Sequence, residues 1–206
     1  MKKALLINGS PHKEGCTYTA LCEIQKTLLK NGVESEILYL GTKGIPGCTG
    51  CGKCRETGEC IFSDIVNETA ARIDEFGAIV VGSPVHFASP SGQILPFLDR
   101  LFYSGRGFEG KVGASIVSCR RGGATASFDV LNKYFAIRSM PIASSQYWNM
   151  VHGNTPSEVL RDEEGMQTMR TLAENIAWLM KCIDFGTQNG LEIPKHEKPI
   201  KTNFIR

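Results

Sequence analysis

Long apolar runs are missing from this sequence. No stretch of its 206 residues approaches the roughly 20 apolar residues of a membrane-spanning helix. The apolar start, Ala4-Leu5-Leu6-Ile7, stops at Asn8-Gly9-Ser10-Pro11, too early for the apolar core of a secretory signal. Charge imbalance is missing too: 23 Lys and Arg face 21 Asp and Glu, a net +2. That removes any case for bulk electrostatic attraction to nucleic acid or a membrane surface. There is no internal repeat, no low-complexity tract, and no convincing catalytic triad or pair of carboxylates. Eight cysteines, about 4% of the chain, are too few for a disulfide-stapled scaffold. What remains is a soluble composition, 42% hydrophobic and 21% charged, able to bury a core in one domain. A cytoplasmic protein is expected.

Short apolar runs alternate with helical patterns. Lys3–Ile7 predicts a buried strand, and Ala20, Leu21, Ile24 and Leu28 lie at helical spacing before Asn31-Gly32 ends a helix from about Thr17. Glu36–Leu40 predicts a second strand. Residues 41–61 form a Gly- and Cys-rich insertion without periodicity, after which Ser63 and Asp64 suit the cap of a helix to about Ile73. Ala78–Val81 predicts a central strand ending at Gly82-Ser83-Pro84. A helix over 91–103, a strand over 111–118, a helix over 129–137, a fifth strand at Pro141–Ser144 and a long helix over 166–183 follow. This alternation implies a doubly wound, five-stranded parallel sheet in three α/β/α layers. It assigns 1–186 to one domain and 187–206 to a polar tail.

Such sheets bind ligands at the carboxyl ends of their strands, where three loops coincide. The first, Gly9 to Thr17, contains Ser10, His12 and Cys16, opens a helix whose free N–H groups suit a phosphate, and fits neither dinucleotide nor Walker A spacing. The second, Gly82 to Gly92, carries Pro84-Val85-His86-Phe87 and a second proline, a stiff ledge for a flat heterocycle. The third, Ser118-Cys119-Arg120-Arg121-Gly122-Gly123, places two arginines beside two glycines, suited to an anionic ring or phosphate. Each loop alone also fits an ordinary turn. Asp99-Arg100 fits a helix-end salt bridge, and His152 and His196 fit surface positions. Cys119 has no base nearby in sequence and is a weak nucleophile candidate.

Gly9-Ser10-Pro11 with Gly15 and Thr17, then Gly82-Ser83-Pro84-Val85, then Leu95-Pro96-Phe97-Leu98-Asp99-Arg100 together resemble the flavodoxin-like NAD(P)H-dependent FMN reductase family over roughly Lys3 to Tyr147. The resemblance implies FMN as cofactor and NAD(P)H as cosubstrate, with hydride passed to flavin N5. It places Ser10, His12, Cys16 and Thr17 around the FMN phosphate. Pro84, Val85, His86 and Phe87 would then line the isoalloxazine, with Ser118, Arg120, Arg121, Gly122 and Gly123 at its other edge. His12 stands where relatives more often have Arg or Lys, and His86 where they more often have Tyr. The resemblance also implies a homodimer or homotetramer, with a small-molecule or protein electron acceptor such as a quinone, free flavin or nitro compound. Tyr147 and Trp148 would serve a subunit contact or cover the flavin.

Cys48, Cys51, Cys54 and Cys60 crowd into one stretch, with Gly47, Gly50, Gly52 and Gly58 between and around them. Four thiolates so spaced can wrap a [4Fe–4S] cube, can hold zinc, or can form a structural, partly oxidised loop. The spacing resembles that of the iron–sulfur flavoproteins, a branch of the same family. The alternative to a direct reductase is therefore an electron carrier whose cluster relays single electrons between a ferredoxin-like donor and FMN, and a third reading is a binding module of the same fold without a cofactor or with a zinc-stapled loop.

Overall fold

The computed structural model describes residues 1–198 together with Ile200, Thr202 and Phe204; positions 199, 201, 203, 205 and 206 of the expected tail lie outside the described residues. Five parallel strands form the sheet: β1 (Lys3–Asn8), β2 (Ser35–Tyr39), β3 (Phe76–His86), β5 (Val112–Cys119) and β6 (Met150–His152), in the order β2-β1-β3-β5-β6. A two-residue β4 (Ser89–Pro90) folds back antiparallel on the end of β3. The order reverses direction between β1 and β3, which opens a crevice at their carboxyl ends, the place where sheets of this kind take ligands.

The strands are apolar on both faces because both faces are covered. Ala4, Leu6, Ala78 and Val80 point to one layer, with α1 (Cys16–Lys30) and α7 (Glu163–Gln188). Leu5, Ile7, Ile79 and Val81 point to the other, with α3 (Ile65–Ala71), α4 (Ile94–Ser104) and α5 (Ala124–Ile137). Two short helices complete the chain, α2 (Cys54–Thr57) in the cysteine-rich insertion and α6 (Pro156–Val159). Asp64 caps α3 by accepting from the Val66 N–H at 3.0 Å, and Asp162 caps α7 by accepting from the Gly165 N–H at 3.0 Å. Among the described residues, no helix is long and apolar enough to cross a membrane.

Two elements differ from expectation. β3 does not stop at Gly82 but runs through Ser83 and Pro84 to His86, pairing Pro84 with Ser118 and Val85 with Pro90. The ledge is thus the overhang of a central strand. The expected strand at Pro141–Ser144 reduces to a bridge at Gly113, and the fifth parallel strand is β6 instead. Between them the chain loops out, and the Asn149 amide donates to the Ser115 carbonyl at 3.1 Å, so a side chain fills a position the backbone vacates.

At the amino ends of β3 and β5, Lys111 is buried and its Nζ donates to the Phe76 carbonyl at 2.7 Å. Burial, with Lys2 nearby, pushes this ammonium down to about 8 from 10.5. Between pH 8 and 10.5 the unfolded chain therefore holds more proton, and the fold gains stability as pH rises. Urea denaturation of wild type and Lys111→Met across that window should show wild type gaining on the variant by up to about 3 kcal/mol. A stability difference flat in pH would refute the assignment.

Candidate functional site

Three loops meet at the carboxyl edge, each tied to the others. In the first, buried Asn8 shapes the turn: its Oδ1 accepts from the Ser10 N–H at 3.1 Å and its Nδ2 donates to the Lys13 carbonyl at 3.0 Å. Ser10 Oγ accepts from the His12 N–H at 3.1 Å, and the Tyr39 hydroxyl donates to the Pro11 carbonyl at 2.7 Å. α1 then begins after Gly15 with no side-chain cap and no acidic residue in its first turn. An open cleft of about 560 Å³ lies here, with Pro11 to Cys16, including His12, Lys13 and Glu14, on one side and Asn154 to Pro156 on the other. Unsatisfied donors and a positive dipole end favour an anion there. Cys16 sits at this opening, its thiol 3.7 Å from the Gly153 carbonyl and pushed up by burial.

The first loop joins the third through a buried 2.8 Å hydrogen bond between the hydroxyls of Thr17 and Ser118. It joins the second through the Gly9 N–H, which donates to the Gly82 carbonyl at 2.9 Å, and through Ser91, whose hydroxyl donates to the Gly9 carbonyl at 2.6 Å. Gly9 is forced by its neighbour, since a Cβ there would lie 2.8 Å from Ile94 Cβ.

The tip of the second loop is strained. Phe87 and Ala88 both adopt left-handed backbone, at φ of 52° and 57°, which costs an L-residue roughly 1–2 kcal/mol each. The fold holds them there because Gly123, itself at φ +85°, packs its bare Cα against the turn; a Cβ would come within 2.7 Å of Ala88 Cα. Pro84 and Val85 are half-buried, whereas His86 and Phe87 stand in solvent. Arg120, Arg121 and Gly122 are also exposed beside them, so the edge is positively charged and open. Cys119 is buried, and burial pushes its thiol up, against nucleophilic use. His152 is half-exposed, with Nδ1 3.8 Å from Asp162, and His196 is exposed.

The cysteine-rich insertion folds over α4. Cys48, Cys51, Cys54 and Cys60 line one small apolar cavity, with Phe62, Arg100 and Tyr103 as its floor. No cysteine forms a disulfide. The Cys51 thiol is held below its ordinary value by the Lys53 N–H and the Thr49 hydroxyl. Arg100 does not form a helix-end bridge with Asp99, which bonds the Tyr134 hydroxyl at 2.5 Å instead. It is fully buried, chelates Asp64 at 2.6 and 2.8 Å, and gives its Nε to Cys60 Sγ at 3.1 Å. Burial works against the Asp64 charge, but the guanidinium and the Val66 N–H leave its carboxyl below the usual range.

Asn8, Asp64 and Arg100 were not among the expected site residues. Asn8 is signalled only by its place before the Gly-Ser-Pro turn; Arg100 lies inside a quoted motif yet has its partner 36 positions away. One G-x-G-x-x-G spacing, Gly105 to Gly110, does occur, but it joins helix to strand, the reverse of a dinucleotide-binding turn.

The family model of NADPH-dependent FMN reductases matches residues 2–155. The chain belongs to this family. An iron-sulfur flavoprotein of Methanocaldococcus jannaschii is 30% identical over 190 residues, covering 88% of this chain and 98% of that one. An iron-sulfur flavoprotein of Archaeoglobus fulgidus is 30% identical over 173 residues, covering 82% and 85%. These relatives place the chain in the iron–sulfur flavoprotein branch of the FMN reductases. Among solved structures, RosB with a bound 8-demethyl-8-formylriboflavin-5'-phosphate intermediate aligns at a TM-score of 0.69 and 13% identity, over 99% of this chain and 92% of that one. An archaeal flavodoxin aligns at 0.59 and 15%, over 88% and 99%. Both likenesses concern the fold, which is flavodoxin-like.

Gly123 makes the site testable. Gly123→Ala should push the Phe87–Ala88 turn out of place and weaken FMN binding about tenfold, roughly 1.4 kcal/mol. Titration of stripped protein followed by flavin fluorescence measures it, and unchanged affinity would remove the turn from the site.

Proposed function

We propose that this chain is an FMN-dependent oxidoreductase of the electron-transferring kind, with FMN at the carboxyl edge and a [4Fe–4S] cluster in the cysteine cavity. The observation that carries the reading is that four cysteines, none in a disulfide, line one apolar cavity. Four thiolates around one cavity are the donor set that a [4Fe–4S] cube takes, one on each iron; zinc takes the same four sulfurs, and counting iron separates the two.

For FMN, the open end of α1 with Ser10, His12, Cys16 and the backbone of Thr17 would take the phosphate. Pro84 to Phe87 would support the ring, and Ser118 to Gly123 would border it, with Arg120 or Arg121 offering positive charge where the reduced ring is anionic. When bound, FMN supplies hydride and single-electron chemistry and the cluster single-electron transfer. The chain's own part is to hold both groups in place.

A second reading is direct reduction by NAD(P)H, favoured by the exposed arginine pair, which suits nicotinamide phosphates. The acceptor is then a small molecule or a protein. A homodimer or homotetramer would give exposed Phe87, Tyr147 and Trp148 a partner surface.

Anaerobically purified protein should show flavin bands with a broad shoulder near 400 nm and about four irons per chain. Cys48→Ser should lose iron while keeping FMN. Flavin without iron, together with rapid NADPH oxidation, would favour the direct reductase; neither flavin nor iron after reconstitution would sink both.

A further inference from the structure

The guanidinium of Arg100 has five N–H donors, and all five are engaged. Nε donates to Cys60 Sγ at 3.1 Å. One terminal nitrogen donates to Asp64 Oδ2 at 2.6 Å and the Pro46 carbonyl at 3.3 Å, the other to Asp64 Oδ1 at 2.8 Å and the Phe62 carbonyl at 3.1 Å. The guanidinium carbon also lies 4.9 Å from the centre of the Phe62 ring, so its planar face is covered as well. Such a group has a single orientation, set by the protein alone.

Cys60 is held from its backbone too. Its N–H donates to Asn67 Oδ1 at 3.0 Å and its carbonyl accepts from Asn67 Nδ2 at 2.8 Å. Cys48 and Cys51 contrast with this. They are exposed, and Gly50 and Gly52 beside them adopt left-handed backbone with open space where a Cβ would be. One wall of the cavity is tied to the core by hydrogen bonds, and the other stands exposed.

We propose that Arg100 is a positioning residue for the cysteine centre, holding Cys60 as its preformed corner and raising the reduction potential of the bound cluster through the Nε–Sγ hydrogen bond. The inference rests on the cluster reading above. A charge-assisted donor to a ligating sulfur draws electron density from the metal and stabilises the reduced, more negative state. Asp64 acts in the opposite sense. Its carboxylate lies on the far side of the same guanidinium and opposes added negative charge. The pair thus fixes geometry and sets potential through two groups whose removal has opposite electrical effects.

That opposition supplies the test. Wild type, Arg100→Lys, Arg100→Gln and Asp64→Asn are purified without oxygen, their iron and sulfide counted, and their clusters titrated potentiometrically with electron paramagnetic resonance. Arg100→Gln should shift the reduction equilibrium about tenfold against the reduced cluster, about 59 mV lower for one electron. Arg100→Lys, which keeps charge but not the fork, should fall between. Asp64→Asn, which keeps the shape of the helix cap, should shift upward. In iron-free wild type, iodoacetamide labelling resolved by peptide mass should reach Cys60 last among the four cysteines. Potentials that move in the same direction in both variants, or not at all, would overturn the proposal, leaving Arg100 a purely structural clamp. Should Arg100→Gln not fold, Asp64→Asn and the labelling order decide by themselves. Wild type that binds no iron would instead defeat the cluster reading on which the inference stands.

Discussion

A guanidinium without access to water has to be paid in full by hydrogen bonds, since removing either partner of a buried pair leaves an uncompensated charge costing roughly 3–5 kcal/mol. Arg100 satisfies that demand with groups from the chain between β2 and α3: Pro46 and Cys60 of the insertion, then Phe62 and Asp64, the cap of α3. The insertion has little else to hold it. It has few apolar side chains, one four-residue helix, and several glycines that resist ordering. One side chain on a core helix therefore gives position to a loop that could not fold by its own hydrophobicity, and the cysteines inherit that position.

The same helix reaches both halves of the chemistry. Ile94, at the start of α4, presses on Gly9 in the loop after β1, and Arg100 stands six residues later, about 9 Å further along the axis. Packing at the first contact and ion pairing at the second fix the loops of the carboxyl edge and the cysteine cavity to one helix. Neither region has an independent core, so displacement of α4 would disturb both.

The layers and the alternation of parallel strands with helices were legible because each strand is a short apolar run and each helix has a periodic face, signals that need only neighbours in sequence. The three loops were legible for the same reason: Gly-Ser-Pro and Arg-Arg-Gly-Gly mark strand ends directly. Misses came where distant groups decide. Pro141–Ser144 looks like a strand, yet the ladder continues at Met150 because Asn149 substitutes a side-chain amide for backbone. Asp99-Arg100 looks like a local pair, yet burial of Arg100 is set by an aspartate on another helix. The extension of β3 past Gly82 was hidden because two prolines normally argue against a strand; here one lies on the overhang and the other in the short return strand.

The broken edge near Asn149 also bears on behaviour outside the folded monomer. An exposed strand with a long row of free N–H and C=O groups invites pairing with another chain, and proteins blunt such edges by shortening or interrupting them. β6 has only three residues, and the segment before it touches the sheet through a single bridge at Gly113. An incoming strand would find no continuous ladder to extend. The irregularity that disguised the fifth strand in the sequence thus guards the β6 edge of the sheet against pairing with another chain.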